Sequence, residues 1–273
     1  MKLAFIGGGN MATAILGGLM AKGFRGADAV VAEIDAAARA RLASELGVST
    51  VEAPGAEMAR VDVIVLAVKP QNMREVAKSL APHLSKQLVV SIAAGIRIAD
   101  LTRWLGGHSR IVRAMPNTPA LVQAGITGLY ATDAVTLSDR EKVNELLAAI
   151  GATVWLDSEG DIDIVTAISG SGPAYVFYVM EALEAAAKDL GLAPDKARTL
   201  ALWTFAGGAK LAAERGLDPA VLRAQVTSKG GTTQAAISVL DAAQVKAMFV
   251  AAIKAAHTRS QQLGDEFGKD PQS

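Results

Sequence analysis

Short apolar runs alternate with amphipathic stretches through roughly the first 157 residues, and helical spacing alone then takes over. The runs at 3–6, 29–34, 61–67, 88–92 and 110–115 predict strands, with further strands at 128–131 and 153–156. Between them, apolar residues at helical intervals predict helices over 11–22, 36–46, 72–84, 98–105 and 138–150. Strands that alternate with helices in this way argue for a mostly parallel sheet covered on both faces. Beyond residue 157 the predicted elements are all helical: 161–169, 173–190, 194–215, 219–226, 233–240 and 244–263. Pro173, Pro194 and Pro219 stand at helix starts, where a missing N–H does no harm. The change of period puts a boundary near residues 157–161, giving one α/β domain over 1–159 and an all-α domain over 160–273. The charged tail 264–273 reads as frayed.

The predicted helix 194–215 is apolar on every face in its middle, from Leu200 through Trp203 and Phe205 to Ala209. Such a helix has to be covered all round. Either its own domain wraps it or a second subunit does. A domain of about 110 residues offers limited cover, which favours a dimer.

Composition narrows the chemistry. Lys+Arg and Asp+Glu both number 27, so there is no net charge and no basic field to hold nucleic acid or an anionic membrane. Cysteine is absent and the three histidines are scattered, which removes thiolate chemistry and argues against a metal site. The opening residues form a buried strand rather than a secretion signal, and no uninterrupted apolar run reaches the length of a membrane span. A cytoplasmic protein is the expectation.

Directly after the first strand comes Gly7-Gly8-Gly9-Asn10-Met11-Ala12, at the start of a helix. This fits the glycine fingerprint of a Rossmann-type dinucleotide-binding domain. Gly7 makes the tight turn, Gly9 lets a pyrophosphate approach, and Ala12 permits close helix–strand packing. The second strand then ends near Glu33 and Asp35, either of which is placed to read the adenosine ribose. An acidic reader favours NADH, whereas Arg39 or Arg41 on the following helix would suit a 2′-phosphate, so NADPH and NADH both stay open. Two more loops leave strand ends: Val68-Lys69-Pro70-Gln71, and Met115-Pro116-Asn117-Thr118-Pro119-Ala120, in which Asn117 and Thr118 are candidates to bond a carboxamide. Ser91-Ile92-Ala93-Ala94-Gly95 closes another strand with small residues.

The helical half carries two Gly-rich breaks. One is Ser169-Gly170-Ser171-Gly172-Pro173, with Ser171 a candidate substrate contact. The other is Val226-Thr227-Ser228-Lys229-Gly230-Gly231-Thr232-Thr233. A flexible break followed by a helix start offers unpaired N–H groups to a small anion such as a carboxylate. A hydroxyacid dehydrogenase, which joins the same two kinds of domain, would need a dedicated Lys or His as acid–base. Lys188, Lys210 and Lys254 all lie outside these breaks.

In their order along nearly the whole chain, these motifs resemble the pyrroline-5-carboxylate reductase family. The stretch 226–237 matches the family's defining C-terminal pattern. The resemblance implies a Rossmann-type domain followed by an all-α dimerisation domain, assembled as a homodimer and further as a decamer. It implies reduction of 1-pyrroline-5-carboxylate to L-proline by NADPH or NADH. Gly7, Gly9, Asn10 and Met11 would hold the pyrophosphate, and Val68, Lys69, Pro70, Met115, Asn117 and Thr118 would line the cofactor. Ser228, Gly230, Gly231, Thr232 and Thr233 would hold the substrate, with Thr233 bonding its ring nitrogen as the catalytic candidate. Family members commonly carry proline where Lys229 stands.

Overall fold

The computed structural model describes residues 1–269. By packing the described residues divide into two compact units, one of residues 1–171 with 256–269, the other of residues 172–255. The strands are β1 (Leu3–Ile6), β2 (Ala29–Ala32), β3 (Ser49–Val51), β4 (Val63–Leu66), β5 (Leu88–Ser91), β6 (Ile111–Met115), β7 (Gly125–Ala131) and β8 (Gly151–Trp155). Among the described residues they form a single sheet in the order β3-β2-β1-β4-β5-β6-β7-β8. All neighbours are parallel except β6 and β7. The helices of the first half are α1 (Asn10–Ala21), α2 (Ala36–Leu46), α3 (Met73–Leu80), α4 (Ile98–Trp104) and α5 (Leu137–Leu147).

Alternate strand residues feed two cores, as a period of two requires. Phe5, Val65, Val90 and Val112 pack with Ile15 and Leu16 of α1 and Leu146 of α5. Ile6, Ile64, Val89 and Ile111 pack on the other side with Met73 and Leu80 of α3 and Leu101 and Trp104 of α4.

One strand escaped the sequence reading. β3 is short, carries Ser49 and Thr50, and lies at the sheet edge, so it has no apolar run to announce it. β7 is also longer than its predicted core, beginning at Gly125.

Helix α5 starts with a reciprocal cap. Thr136 Oγ1 accepts from Asp139 N–H, and Asp139 Oδ2 accepts from Thr136 N–H. Asp139 is buried, and Arg110 donates to it at 2.7 Å. Burial alone would raise its pKa, but the bonds from Arg110 and Thr136 outweigh burial and hold it at about 2, below the ordinary 3.8. A depressed carboxylate stabilises the fold above its unfolded pKa and loses that contribution on acidification. The protein is therefore expected to lose about 2 kcal/mol between roughly pH 4 and pH 2 from this group. Melting temperatures across that range should fall less steeply for Asp139→Asn; an unchanged slope would remove Asp139 from the acid response.

The remaining helices are α6 (Asp161–Val165), α7 (Gly172–Asp189), α8 (Pro194–Arg215), α9 (Pro219–Gln225), α10 (Thr232–Ala242) and α11 (Val245–Gly268). Between α6 and α7 the chain does not break at Ser169–Ser171, as the sequence suggested. It continues through a π-turn, Thr166–Gly170, in which Ser171 N–H bonds Thr166 C=O. Small polar residues read as a loop, but Thr166 and Ser169 spend their hydroxyls on carbonyls one turn back. Among the described residues the run Asp161–Asp189 is long and apolar enough to cross a membrane by length and composition alone.

The reading of residues 264–269 as a frayed tail is also corrected; residues 270–273 lie outside the described residues. α11 runs to Gly268, and its end docks on the first unit. Asp265 pairs with Arg97 at 2.7 Å, Arg103 donates to Gly268 C=O, and Phe267 joins the core beside α4. Arginines on the last carbonyls suit the negative end of a helix.

In the second unit α7 and α8 pack on each other, yet much of their apolar surface faces outward. Only Ala197 and Ala201 of α8 are buried, while Leu200 is 60% and Trp203 69% exposed. Of the two covers offered for this helix, its own domain does not supply one.

Candidate functional site

The sheet order reverses beside β1, and a crevice at the carboxyl ends of strands is where such folds bind ligands. A cavity of about 460 Å³ opens there, lined by Gly7, Gly9, Glu33, Glu52, Val68 and Lys69, among others. Gly7 sits at φ +100°, and a Cβ on it would stand 2.7 Å from the Ala67 carbonyl oxygen. Only glycine makes that turn without displacing β4's exit. At Gly9 nothing lies within 4 Å of the position a Cβ would take, so the approach to the backbone is open. Gly9 is also the N-cap of α1 and offers no side chain to its first N–H groups. Asn10 and Met11 form the first turn of α1, with N–H groups that a helix leaves unpaired. Ala12 is fully buried under the turn.

The structure separates the two acidic candidates. Asp35 caps α2, accepting from Ala38 N–H at 2.7 Å. Glu33 turns to the glycine turn, where Oε2 accepts from Gly8 N–H at 2.8 Å and Oε1 from Asp35 N–H at 3.0 Å. Arg39 folds back onto the carbonyls of Glu33 and Ile34. Glu33 and Glu52 both line the cavity, whereas Asp35 does not. Glu52 was missed from sequence because β3, which it follows, was missed.

Pro70, Met115, Asn117 and Thr118 do not line this cavity. Pro70 opens the 3-10 turn Pro70–Asn72 after Lys69. Met115 ends β6, and its Cε packs so close to Gly170 that a Cβ there would meet it at 2.7 Å. The Asn117 amide is used at both ends: Oδ1 accepts from Ile126 N–H at 2.9 Å, and Nδ2 donates to Ser169 C=O at 3.1 Å. Thr118 is exposed. Ser171 is half-buried, at the end of the π-turn.

The second Gly-rich break belongs to the second unit. Gly231 is the N-cap of α10 and carries no side-chain cap. Gly230, at φ +71°, donates its N–H to Gln234 Oε1, and Gly231 N–H bonds Ser228 C=O. Thr232 and Thr233 are the first two residues of the helix, Thr233 half-buried and Lys229 exposed. The arrangement presents an open helix start beside hydroxyls, which suits a small carboxylate.

Comparisons with known proteins bear on the family of the chain. A family model described as pyrroline-5-carboxylate reductase dimerisation matches residues 159–263, and one described as NADP oxidoreductase, coenzyme F420-dependent, matches residues 2–95. A pyrroline-5-carboxylate reductase of Pseudomonas aeruginosa is 45% identical over 269 residues, 98% of each chain. The solved structure of one from Coxiella burnetii superposes with a TM-score of 0.92 at 40% identity, covering 96% of this chain and 98% of that one. Another from Plasmodium falciparum, with NADP bound, gives 0.84 at 30% identity over 97% and 98%. A chain matched along 98% of its length at 45% identity belongs to the pyrroline-5-carboxylate reductase family.

Proposed function

We infer that the protein is an NAD(P)H-dependent oxidoreductase that reduces the C=N bond of 1-pyrroline-5-carboxylate to L-proline. The observation that carries this reading is the likeness along 98% of the chain to a reductase of that substrate, because the glycine turn alone specifies only a dinucleotide. Residues 1–159 serve the cofactor, and residues 160–273 serve dimerisation and substrate.

The cofactor fits the residues present: the Gly7 turn admits no side chain, Gly9 leaves the helix start open, and Glu33 lines the cavity. Gly7, Gly9, Asn10 and Met11 hold the pyrophosphate, with Glu33 at the adenosine ribose. Val68, Lys69, Pro70, Met115 and Thr118 line the rest. Asn117 acts there through its loop backbone, since its amide is already engaged. When bound, NAD(P)H supplies the hydride. The protein's part is to hold the acceptor, because a protonated imine is already electrophilic. Ser228, Gly230, Gly231 and Thr232 hold the carboxylate and ring edge. The Thr233 hydroxyl bonds the ring nitrogen and orients the C=N carbon, and Lys229 adds a positive charge near the carboxylate. The outward apolar faces of α7 and α8 support a homodimer, and we extend this to a decamer in the cytoplasm, with neither nucleic acid nor membrane as partner.

Initial rates with 1-pyrroline-5-carboxylate and each cofactor at matched concentration test the reading. Consumption of neither NADH nor NADPH would overturn it. Glu33 and Glu52 favour NADH, since a 2′-phosphate would meet their charge. Glu33→Ser is expected to raise the NADPH-to-NADH ratio of kcat/KM roughly 10-fold, about 1.4 kcal/mol. A ratio that does not move removes Glu33 as the ribose reader.

A further inference from the structure

Glu159 lies just before α6, outside every motif above. One oxygen, Oε1, accepts two bonds: from Ile98 N–H at 2.7 Å and from Arg113 Nη1 at 3.0 Å. Ile98 is the first residue of α4, whose N-cap Arg97 makes no side-chain cap. Its N–H is one of the donors a helix leaves unpaired, and Glu159 supplies the acceptor from 61 residues away. Arg113, on β6, is only 2% exposed. A buried guanidinium is costly unless paired. Nε and Nη2 of Arg113 make no hydrogen bond among the described residues, and its other carboxylate, Asp163, stands 4.0 Å off. Asp163 in turn accepts from Ser260 of α11 at 2.6 Å. Glu159 is thus the one acceptor within bonding distance of the Arg113 guanidinium among the described residues.

Both partners of Glu159 stand at the roots of loops. Ile98 ends the segment that leaves β5 through Ala93–Gly95, and Arg113 comes two residues before Met115. β5 and β6 are neighbours, with Ser91 opposite Arg113. One carboxylate oxygen therefore sets the spacing of two adjacent loops at the carboxyl edge of the sheet. β1 and β2 bound the cavity at Gly7 and Glu33, whereas β5 and β6 lie beyond β4. In a doubly wound sheet a dinucleotide lies across the crevice, and its second nucleotide falls on that side.

We propose that Glu159 is a positioning residue for the nicotinamide half of the cofactor, bracing the β5 and β6 loops through Ile98 and Arg113. This rests on the reading of those loops as cofactor-lining. The brace acts on one half of the ligand, which gives it a signature that general loosening of the fold does not share.

Calorimetric titration separates the halves. Wild type, Glu159→Ala, Glu159→Gln and Glu159→Asp are titrated with whichever of NADH and NADPH has the lower KM, and with ADP-ribose, which lacks nicotinamide. Glu159→Ala is expected to weaken the dinucleotide roughly 10-fold and ADP-ribose less than about 2-fold, with kcat reduced. Glu159→Gln keeps an oxygen that accepts both bonds and should recover most of the loss. Glu159→Asp keeps the charge beside Arg113 but is a methylene short, so it tests the brace even if the alanine variant does not fold; it should weaken the dinucleotide alone. Equal weakening of both ligands, or of neither, overturns the proposal. Wild-type protein that binds ADP-ribose as tightly as the dinucleotide overturns instead the reading of the loops.

Discussion

Gly7→Ala is expected to abolish useful cofactor binding, with affinity for NADH and NADPH falling at least about 100-fold, or about 3 kcal/mol. Two costs coincide at this position. At φ +100° an L side chain is strained whatever the space, and its Cβ would lie 2.7 Å from a backbone oxygen of Ala67 and 3.1 Å from Val68 Cγ1. A carbonyl at a strand exit has no rotamer by which to yield. The turn must therefore move, although Gly7 N–H is tied to Ala32 C=O at 2.8 Å on one side and α1 begins at Asn10 on the other. Glu33 moves with it, since its carboxylate is bonded to Gly8 N–H. Fluorescence titration of the reduced cofactor reads the loss directly, and circular dichroism checks that the fold persists. Cofactor affinity within a few-fold of wild type would show that the pyrophosphate does not use this turn.

The second large effect concerns the loop proposed to hold the substrate. Thr233→Ala is expected to lower kcat/KM for 1-pyrroline-5-carboxylate by roughly 10–100-fold, about 1–3 kcal/mol, while KM for the cofactor stays near its original value. Thr233 sits in the first turn of α10 and is half-buried, so its side chain has a restricted outlook rather than free solvent on all sides. Serine at this position keeps the hydroxyl and should retain most of the rate; valine keeps the shape and should not. Wild-type turnover by Thr233→Ala would sink the assignment. A rise in KM for substrate with kcat untouched would make Thr233 a binding residue and leave the ring N–H to another acceptor.

Most of the sheet was legible because its strands are continuous apolar runs between helices of clear period, as buried parallel strands must be. β3 failed the same test because an edge strand with two hydroxyl residues needs no such run. The glycine turn was legible as a pattern, but the choice between Glu33 and Asp35 was not. It depends on which way a side chain leaves the strand end and on Asp35 serving as a helix cap. Ser169 and Gly170 misled because their composition speaks for a loop, whereas Gly170 is small to admit Met115 and Ser169 offers its carbonyl to Asn117. The Glu159 cluster and the docking of Asp265 on Arg97 were invisible for a plainer reason. Charged side chains read as solvated until their partners, 46 to 168 positions away, are known.

Because α11 returns to the first unit after residues 172–255, the amino-terminal half is not finished when its own strands have left the ribosome. Domains generally fold in the order in which they are synthesised. Here the core beside α4 waits for Phe267, and Arg97 and Arg103 wait for Asp265 and Gly268. The part made first is therefore completed last, and during synthesis its helical insert has emerged before the surface that α11 covers is closed.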